Sequence, residues 1–174
     1  MKFVIGLIVG ILILPIFAYL YLTFGKPPVV VADHSLPFER EITHVPLKAR
    51  TKREAPKTAP IQASDDTFLE GAKIYRVQCM VCHGQPGKTS RFAEPMFPQP
   101  PQLWEKEGDH TGVSDDPPGY TYWTVSNGIR LSGMPSFSKM LDDTQIWQVS
   151  LLLANADKPM PAPVQEELAK HARE

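Results

Sequence analysis

Two cysteines and a histidine stand close together in the chain and have the spacing of a cofactor attachment site. They form the segment Cys79-Met80-Val81-Cys82-His83, which reads Cys-x-x-Cys-His. Cysteines one helical turn apart present both sulfurs on one side, where each can form a thioether bond to a vinyl group of haem. The imidazole of the next residue is then placed to bind the iron. The motif predicts one covalent haem c, held by Cys79 and Cys82, with His83 as an axial ligand.

Other interpretations of closely spaced cysteines fit the chain less well. A thioredoxin-like redox pair needs a strand before the motif within a βαβ pattern, whereas here the motif ends a predicted helix. A structural zinc site needs a second pair of ligands, and the chain has no further cysteine. A chance occurrence of the pentapeptide is the third alternative. The remaining histidines are scattered along the sequence, at His34, His44, His110 and His171.

The composition excludes several classes of protein. The chain has 174 residues, 18 prolines and a net charge of −1. Two cysteines are too few for a disulfide scaffold, and the charge excludes a nucleic-acid binder driven by overall positive charge. The single long apolar run, from Phe3 to Phe24, excludes a protein that crosses a membrane several times.

Residues 1–25 are predicted to form a transmembrane signal-anchor. As a helix, the apolar run from Phe3 to Phe24 reaches about 33 Å, enough to cross a bilayer. A cleaved signal peptide is the alternative, but the run is longer than usual and shows no Ala-x-Ala-like site; cleavage after Gly25 stays open. Because thioether attachment takes place outside the cytoplasm in bacteria, we expect a single-pass protein of the bacterial inner membrane whose haem domain faces the periplasm.

The chain after the anchor changes character twice. Residues 26–64 hold six prolines, carry a net charge of +3, and are predicted to be a basic, semi-extended linker. A basic strip that touches anionic lipid or a partner protein is the alternative. Residues 65–160 are predicted to be the haem domain and residues 161–174 a polar C-terminal tail, in which residues 165–174 can form a loose final helix. The near-neutral total therefore hides an acidic region, since residues 65–174 carry a net charge of −5.

The predicted haem domain has helices at its ends and long loops between them. Helical spacing of apolar residues favours helices at 67–78 and 142–154, the second begun by the capping-box pair Asp142 and Gln145. A short helix is predicted at 120–126. Residues 84–117 are irregular and rich in proline and glycine, which is unusual unless the chain wraps a large group. A bound cofactor would supply the core that so short a domain lacks.

Residues 65–158 resemble a class I monohaem cytochrome c of the membrane-anchored bacterial kind. The resemblance rests on the haem motif together with four shorter segments in the expected order, namely residues 71–75 (Gly-Ala-Lys-Ile-Tyr), 127–129 (Asn-Gly-Ile), 133–137 (Gly-Met-Pro-Ser-Phe) and 146–147 (Ile-Trp). It implies a small all-α cytochrome c fold, beside the one N-terminal transmembrane helix. In that fold the first and last helices cross, here at Gly71 and near Trp147, and haem lies between them and the loops.

The second axial ligand of the iron is predicted to be Met134. It stands between a glycine, which lets the backbone approach the ring, and a proline, which fixes the direction of the loop. The family pattern also places its ligand at the methionine of Gly-Met-Pro. Met96 is the main alternative and His110 a remote one. The other methionines are interpreted as packing residues, namely Met140 and Met160, while Met80 lies inside the motif.

Neighbours of the haem are also expected from the resemblance. A carbonyl of a proline loop, from Pro100 or Pro101, is expected to accept a hydrogen bond from the second ring nitrogen of His83. Trp104, Trp123 and Tyr122 either line the haem or pack in the core. Gly71, Tyr75 and Trp147 are interpreted as helix-packing residues.

These features predict a membrane-tethered periplasmic electron carrier that passes electrons between a respiratory donor protein and an acceptor protein. No residues suggest a catalytic base or nucleophile, so we expect an electron-transfer protein and no enzyme, with no nucleic-acid partner. The alternative is a fixed haem c subunit of a respiratory oxidase or a quinol-oxidising complex. A haem enzyme or gas sensor, which needs an open iron site, is the third possibility.

Overall fold

The computed structural model describes residues 2–171, apart from the side chain of Ile5, and its regular secondary structure is almost entirely helical. It forms two units, of which the first ends at Glu39 and the second begins at Arg40. The elements in chain order are α1 (Lys2–Phe24), α2 (Glu39–Glu54), α3 (Asp65–Gln78), α4 (Met80–His83), β1 (Lys106–Glu107), β2 (His110–Thr111), α5 (Pro118–Asn127), α6 (Asp143–Leu153) and α7 (Ala162–Ala169).

Helix α1 has the length and composition of a membrane anchor. Its 23 residues have a mean hydropathy of 2.8 in the most apolar window, and none of that window is buried within the protein. Apolar side chains exposed along a whole helix are unfavourable in water and favourable in lipid. Pro15 lies inside the helix without interrupting it. The helix therefore fits the predicted anchor.

Helices α3 and α6 cross at Gly71 and form the centre of the core. A Cβ atom at Gly71 would lie 2.5 Å from the carbonyl oxygen of Gln148, so the two backbones meet where only glycine fits. Helix α6 begins with the predicted capping box, in which Asp142 accepts a hydrogen bond from the backbone of Gln145 and the Gln145 side chain accepts one from Asp142. Ile146 on this helix is fully buried. The predicted small all-α cytochrome c fold is confirmed.

The segment predicted as a polar tail contains helix α7, which packs against α3. Val164 and Leu168 lie four residues apart on one face of α7 and are both buried. Glu167 is also buried, and its carboxylate accepts a hydrogen bond of 2.6 Å from Arg76 of α3. Two buried apolar residues and one ion pair thus dock this short helix on α3.

The segment predicted as an irregular linker contains helix α2, whose second half docks on α5. Thr51 is buried, and the Nε1 atom of Trp123 donates a hydrogen bond of 3.2 Å to Glu54. The guanidinium of Arg50 lies 5.8 Å from the centre of the Trp123 ring. Residues 47–54 contain no glycine or proline, so nothing in this half of the segment opposes a helix once Trp123 offers it a partner.

The long region between α4 and α5 follows the prediction of irregular structure. The two-residue strands β1 and β2 pair within it, antiparallel, with Lys106 opposite Thr111, and Gln85 and Lys88 form an isolated antiparallel bridge. Helix α5 ends at Asn127, and Gly128 follows with a φ of 68°. This region carries most of the residues that surround the haem motif.

Candidate haem-binding site

The predicted attachment motif forms one turn of helix directly after α3. The backbone N–H groups of Cys79 and His83 donate hydrogen bonds of 2.9 Å to the carbonyls of Tyr75 and Cys79. Both cysteines are free thiols and partly buried. Burial, with a smaller effect of the neighbouring Cys82, raises the pKa of the Cys79 thiol to about 12. The turn thus holds two reduced sulfurs and one imidazole in a short, regular segment.

Tyr75 of α3 fixes the end of this turn. Its hydroxyl donates to the carbonyl oxygens of Gly84, at 2.8 Å, and His83, at 3.1 Å. The ring of Tyr75 is fully buried, and burial raises the pKa of the hydroxyl strongly, so it stays a proton donor. Gly84 has a φ of +72°, and a Cβ atom there would lie 2.6 Å from the Gln102 side chain. The position after the motif therefore requires glycine.

The ring of His83 is oriented by Pro101, one of the two prolines expected in this role. The Nδ1 atom of His83 lies 2.8 Å from the Pro101 carbonyl oxygen. A carbonyl only accepts hydrogen bonds, so Nδ1 carries the proton and Nε2 keeps its lone pair. Burial lowers the pKa of the imidazole in spite of this bond, which favours the neutral form that binds metals.

Gln102 connects the chain segments around the motif through hydrogen bonds, a role that the sequence analysis missed. Its Nε2 atom donates to the carbonyls of Cys82 and Pro100, both at 3.2 Å, and its Oε1 atom accepts from the backbone of Ser90 at 2.7 Å. A polar residue directly after three prolines and a glutamine gives no periodic signal, so only the three-dimensional contacts identify it.

Met134, the predicted second ligand, lies in a tight loop after α5. The backbone of Ile129 donates to the Met134 carbonyl at 3.2 Å, and the backbone of Met134 donates to the Ser132 hydroxyl at 3.2 Å. The Met134 side chain is half-buried against the core. Met96, the alternative ligand, reaches the same loop, because a Cβ atom at Gly133 would lie 2.5 Å from its Cε atom.

The remaining candidates lie elsewhere. Met140 is 55% exposed after this loop, and Met160 packs against the core beside α7. His110 lies on β2, with its Nε2 atom 3.7 Å from an Asp115 carboxylate oxygen. Tyr122 stacks on Trp147 with ring centres 4.3 Å apart. Tyr122 and Trp123, which docks α2, therefore take the packing role left open for them.

Trp104 provides a test of whether the site fits haem. Its ring meets Tyr75 edge to face at 5.7 Å. Its Nε1 atom is buried and has no hydrogen-bond partner among the residues that the structure describes. A buried N–H without a partner is costly, and haem carries carboxylates that accept hydrogen bonds. Two thiols, an imidazole with a free Nε2 and a half-buried thioether complete a donor set suited to haem c.

Comparison with known proteins assigns a family to this part of the chain. Residues 66–151 match the family model described as cytochrome C oxidase, cbb3-type, subunit III. No curated protein matches the chain. The matched segment begins in α3, contains the whole haem motif and the Met134 loop, and ends in α6. Residues 66–151 therefore form a cytochrome c domain similar to that of the cbb3-type subunit, which is consistent with a c-type cytochrome and supports haem c as the cofactor.

Proposed function

We propose that the protein is a membrane-tethered periplasmic electron carrier with one covalently bound haem c. Cys79 and Cys82 form the two thioether bonds, and His83 and Met134 are the axial ligands of the iron. The observation that carries this proposal is the 2.8 Å bond from Nδ1 of His83 to Pro101, which leaves Nε2 available in a turn that also holds two free thiols.

When bound, haem c supplies one-electron redox chemistry at its iron. The protein residues hold and tune this group. Tyr75 and Gln102 fix the turn that carries His83, and Pro101 sets the orientation and basicity of its ring. A methionine thioether opposite a histidine favours the ferrous state and raises the reduction potential. Filled axial positions suit a protein that only transfers electrons.

Replacement of both cysteines tests the attachment. Cys79→Ala/Cys82→Ala should yield protein without covalent haem, because no other cysteine exists in the chain. Haem staining of a denaturing gel measures the result. The matched control is Val81→Ala, which alters an exposed side chain between the two cysteines and should keep the stain. Normal staining of the double variant would overturn the assignment.

Replacement of Met134 tests the axial ligand. Met134→Ala should keep haem attached, lower the reduction potential and remove the weak far-red absorption of the oxidised methionine–iron bond. A redox-titrated visible spectrum of the membrane fraction measures all three. Met140→Ala, which changes an exposed methionine, is the control and should resemble the unmodified protein. An unchanged titration for Met134→Ala would point to another ligand.

A fixed subunit of a respiratory oxidase is the second candidate. It is favoured by the family match and by the docking of α2 on α5, since a helix held against the domain shortens the free tether. Extraction of native membranes with a mild detergent distinguishes the free carrier from the fixed subunit. A carrier should elute alone, whereas a subunit should co-purify with redox partners in fixed proportion.

A further inference from the structure

Met96 contacts the loop that carries the proposed axial ligand. Its terminal Cε atom lies so near Gly133 that a Cβ atom there would be 2.5 Å away. Gly133 directly precedes Met134, and the terminal methyl group of Met96 occupies the space beside Gly133. The Met96 side chain is half-buried. A thioether thus packs on the backbone of the ligand loop.

A series of hydrogen bonds connects Met96 with the haem motif. The Ser90 hydroxyl donates to the carbonyl of Val81, inside the motif, and accepts from the backbone of Ala93 at 3.2 Å. The backbone of Met96 donates to the carbonyl of Ala93 at 3.1 Å. Ala93 is fully buried. Residues 90–96 are therefore hydrogen-bonded to the haem motif and place Met96 against the loop that carries Met134.

The loop of residues 129–134, which carries Met134, depends on contacts with residues outside it, such as Met96. The hydrogen bonds described for residues 129–134 run between members of the loop, as from Ile129 to Met134 and from Met134 to Ser132. Leu131 at its tip is 86% exposed and adopts a φ of 62°, a left-handed conformation that is strained for a leucine. A loop with an exposed, strained tip and no hydrogen bonds described to the rest of the domain opens easily.

We propose that Met96 is a positioning residue that holds the Met134 loop closed over the site. This inference rests on the proposed ligation by Met134. Met96 acts through packing: its methyl group restricts the backbone at Gly133 and thereby the position of the Met134 sulfur. The segment 90–96 thus connects the haem motif, which contains His83, with the loop that carries Met134.

The rate of carbon monoxide binding to the reduced protein tests this inference, because carbon monoxide needs the iron position that Met134 occupies. Met96→Ala should raise the rate about five- to tenfold by increasing the fraction of open loop, while haem attachment stays complete. Met96→Leu fills the same space and should restore the rate. Met140→Ala is the control and should leave it unchanged. Hydrogen exchange of residues 129–134 should accelerate in Met96→Ala and stay unchanged in Met96→Leu and Met140→Ala.

A second substitution approaches the same contact from the other side. In Gly133→Ala the new methyl group must displace the flexible end of Met96, so the chain should fold and carbon monoxide should again bind faster. The combined Gly133→Ala/Met96→Ala variant should bind it no faster than the quicker single variant, because the contact is already lost. Additive effects of the two substitutions would contradict a shared contact.

The outcomes separate this inference from the proposed function. If Met134→Ala loses the far-red absorption but Met96→Ala behaves like Met140→Ala, the positioning role is wrong and the ligand assignment stands. If Met96→Ala loses that absorption and Met134→Ala keeps it, Met96 is the ligand and both proposals are overturned.

Discussion

The imidazole of His83 and the carbonyl of Pro101 form a hydrogen bond of 2.8 Å, which leaves Nε2 as the ring nitrogen with a free lone pair. The two residues are held together by their neighbour Gln102, whose amide bonds the carbonyls of Cys82 and Pro100. The orientation of the histidine is therefore a property of the protein chain itself.

Gln102→Ala should destabilise the domain by about 1–3 kcal/mol, since it leaves the backbone N–H of Ser90 without its side-chain acceptor. Chemical denaturation followed by circular dichroism measures the change. Gln62→Ala, at an exposed position before α3, is the control and should have little effect. Equal stability of the two variants would show that Gln102 does not hold the site.

Trp104→Phe should have opposite consequences with and without haem. In the haem-free protein the substitution removes a buried N–H that has no described partner, so stability should hold or rise. In the haem-bound protein it should cost about 1–2 kcal/mol, because it removes the N–H group that we expect to donate to a haem carboxylate. Denaturation of both forms measures this difference. Trp123→Phe is the control and should destabilise both forms, since that indole donates to Glu54 within the protein.

The haem motif, the helices α3 and α6 and the irregular loops could be predicted because their signals are local, whereas the crossing at Gly71 follows from the family resemblance. The spacing of Cys79, Cys82 and His83 and the capping box at Asp142 are written in adjacent residues. Helices α2 and α7 could not be predicted in the same way. Their docking depends on Trp123 and Arg76, which lie 69 and 91 positions from their partners Glu54 and Glu167. Met96 likewise meets Gly133 only in the folded chain.

Glu167→Gln should weaken the docking of α7 in a pH-dependent way. Hydrogen bonds from Lys170 and Arg76 hold the pKa of Glu167 below its usual range, against the opposing effect of burial. Because the pKa of Glu167 is lower in the folded protein than in the unfolded chain, its ionised carboxylate stabilises the folded state at pH values above the ordinary pKa of about 4.3. This stabilisation is lost as the pH falls through the pKa of the folded state.

Denaturation at a series of pH values measures this effect. The variant should be less stable by about 1–2 kcal/mol at pH 7, and the difference should shrink in acid. Glu70→Gln, in an exposed pair with Lys73, is the control and should change little at either pH. A difference that stays constant down to the lowest pH would exclude an ionised Glu167 as its cause.

Glu54→Ala should release helix α2 from the domain. It removes the acceptor of Trp123 and the partner of Arg50, so trypsin should cut after Arg50, Lys52 and Arg53 severalfold faster. A time course on a denaturing gel measures the cleavage. The control is Glu41→Ala, at an exposed position on the same helix, which trypsin should cleave at the rate of the unmodified protein. Identical rates for both variants would show that α2 is not held by this contact.

The close crossing at Gly71 also implies an order of events during biogenesis. Helix α3 spans only 14 residues and gains little stability alone, so it depends on α6, which follows after the whole loop region. Closing so long a segment is slow compared with local helix formation. For a domain exported to the proposed periplasmic location, the thiols of the motif stay reachable from solution until α6 has left the export channel, whereas in the folded chain they are partly buried. We therefore expect haem to be joined to an open, newly exported chain, and the helix crossing to close over it afterwards.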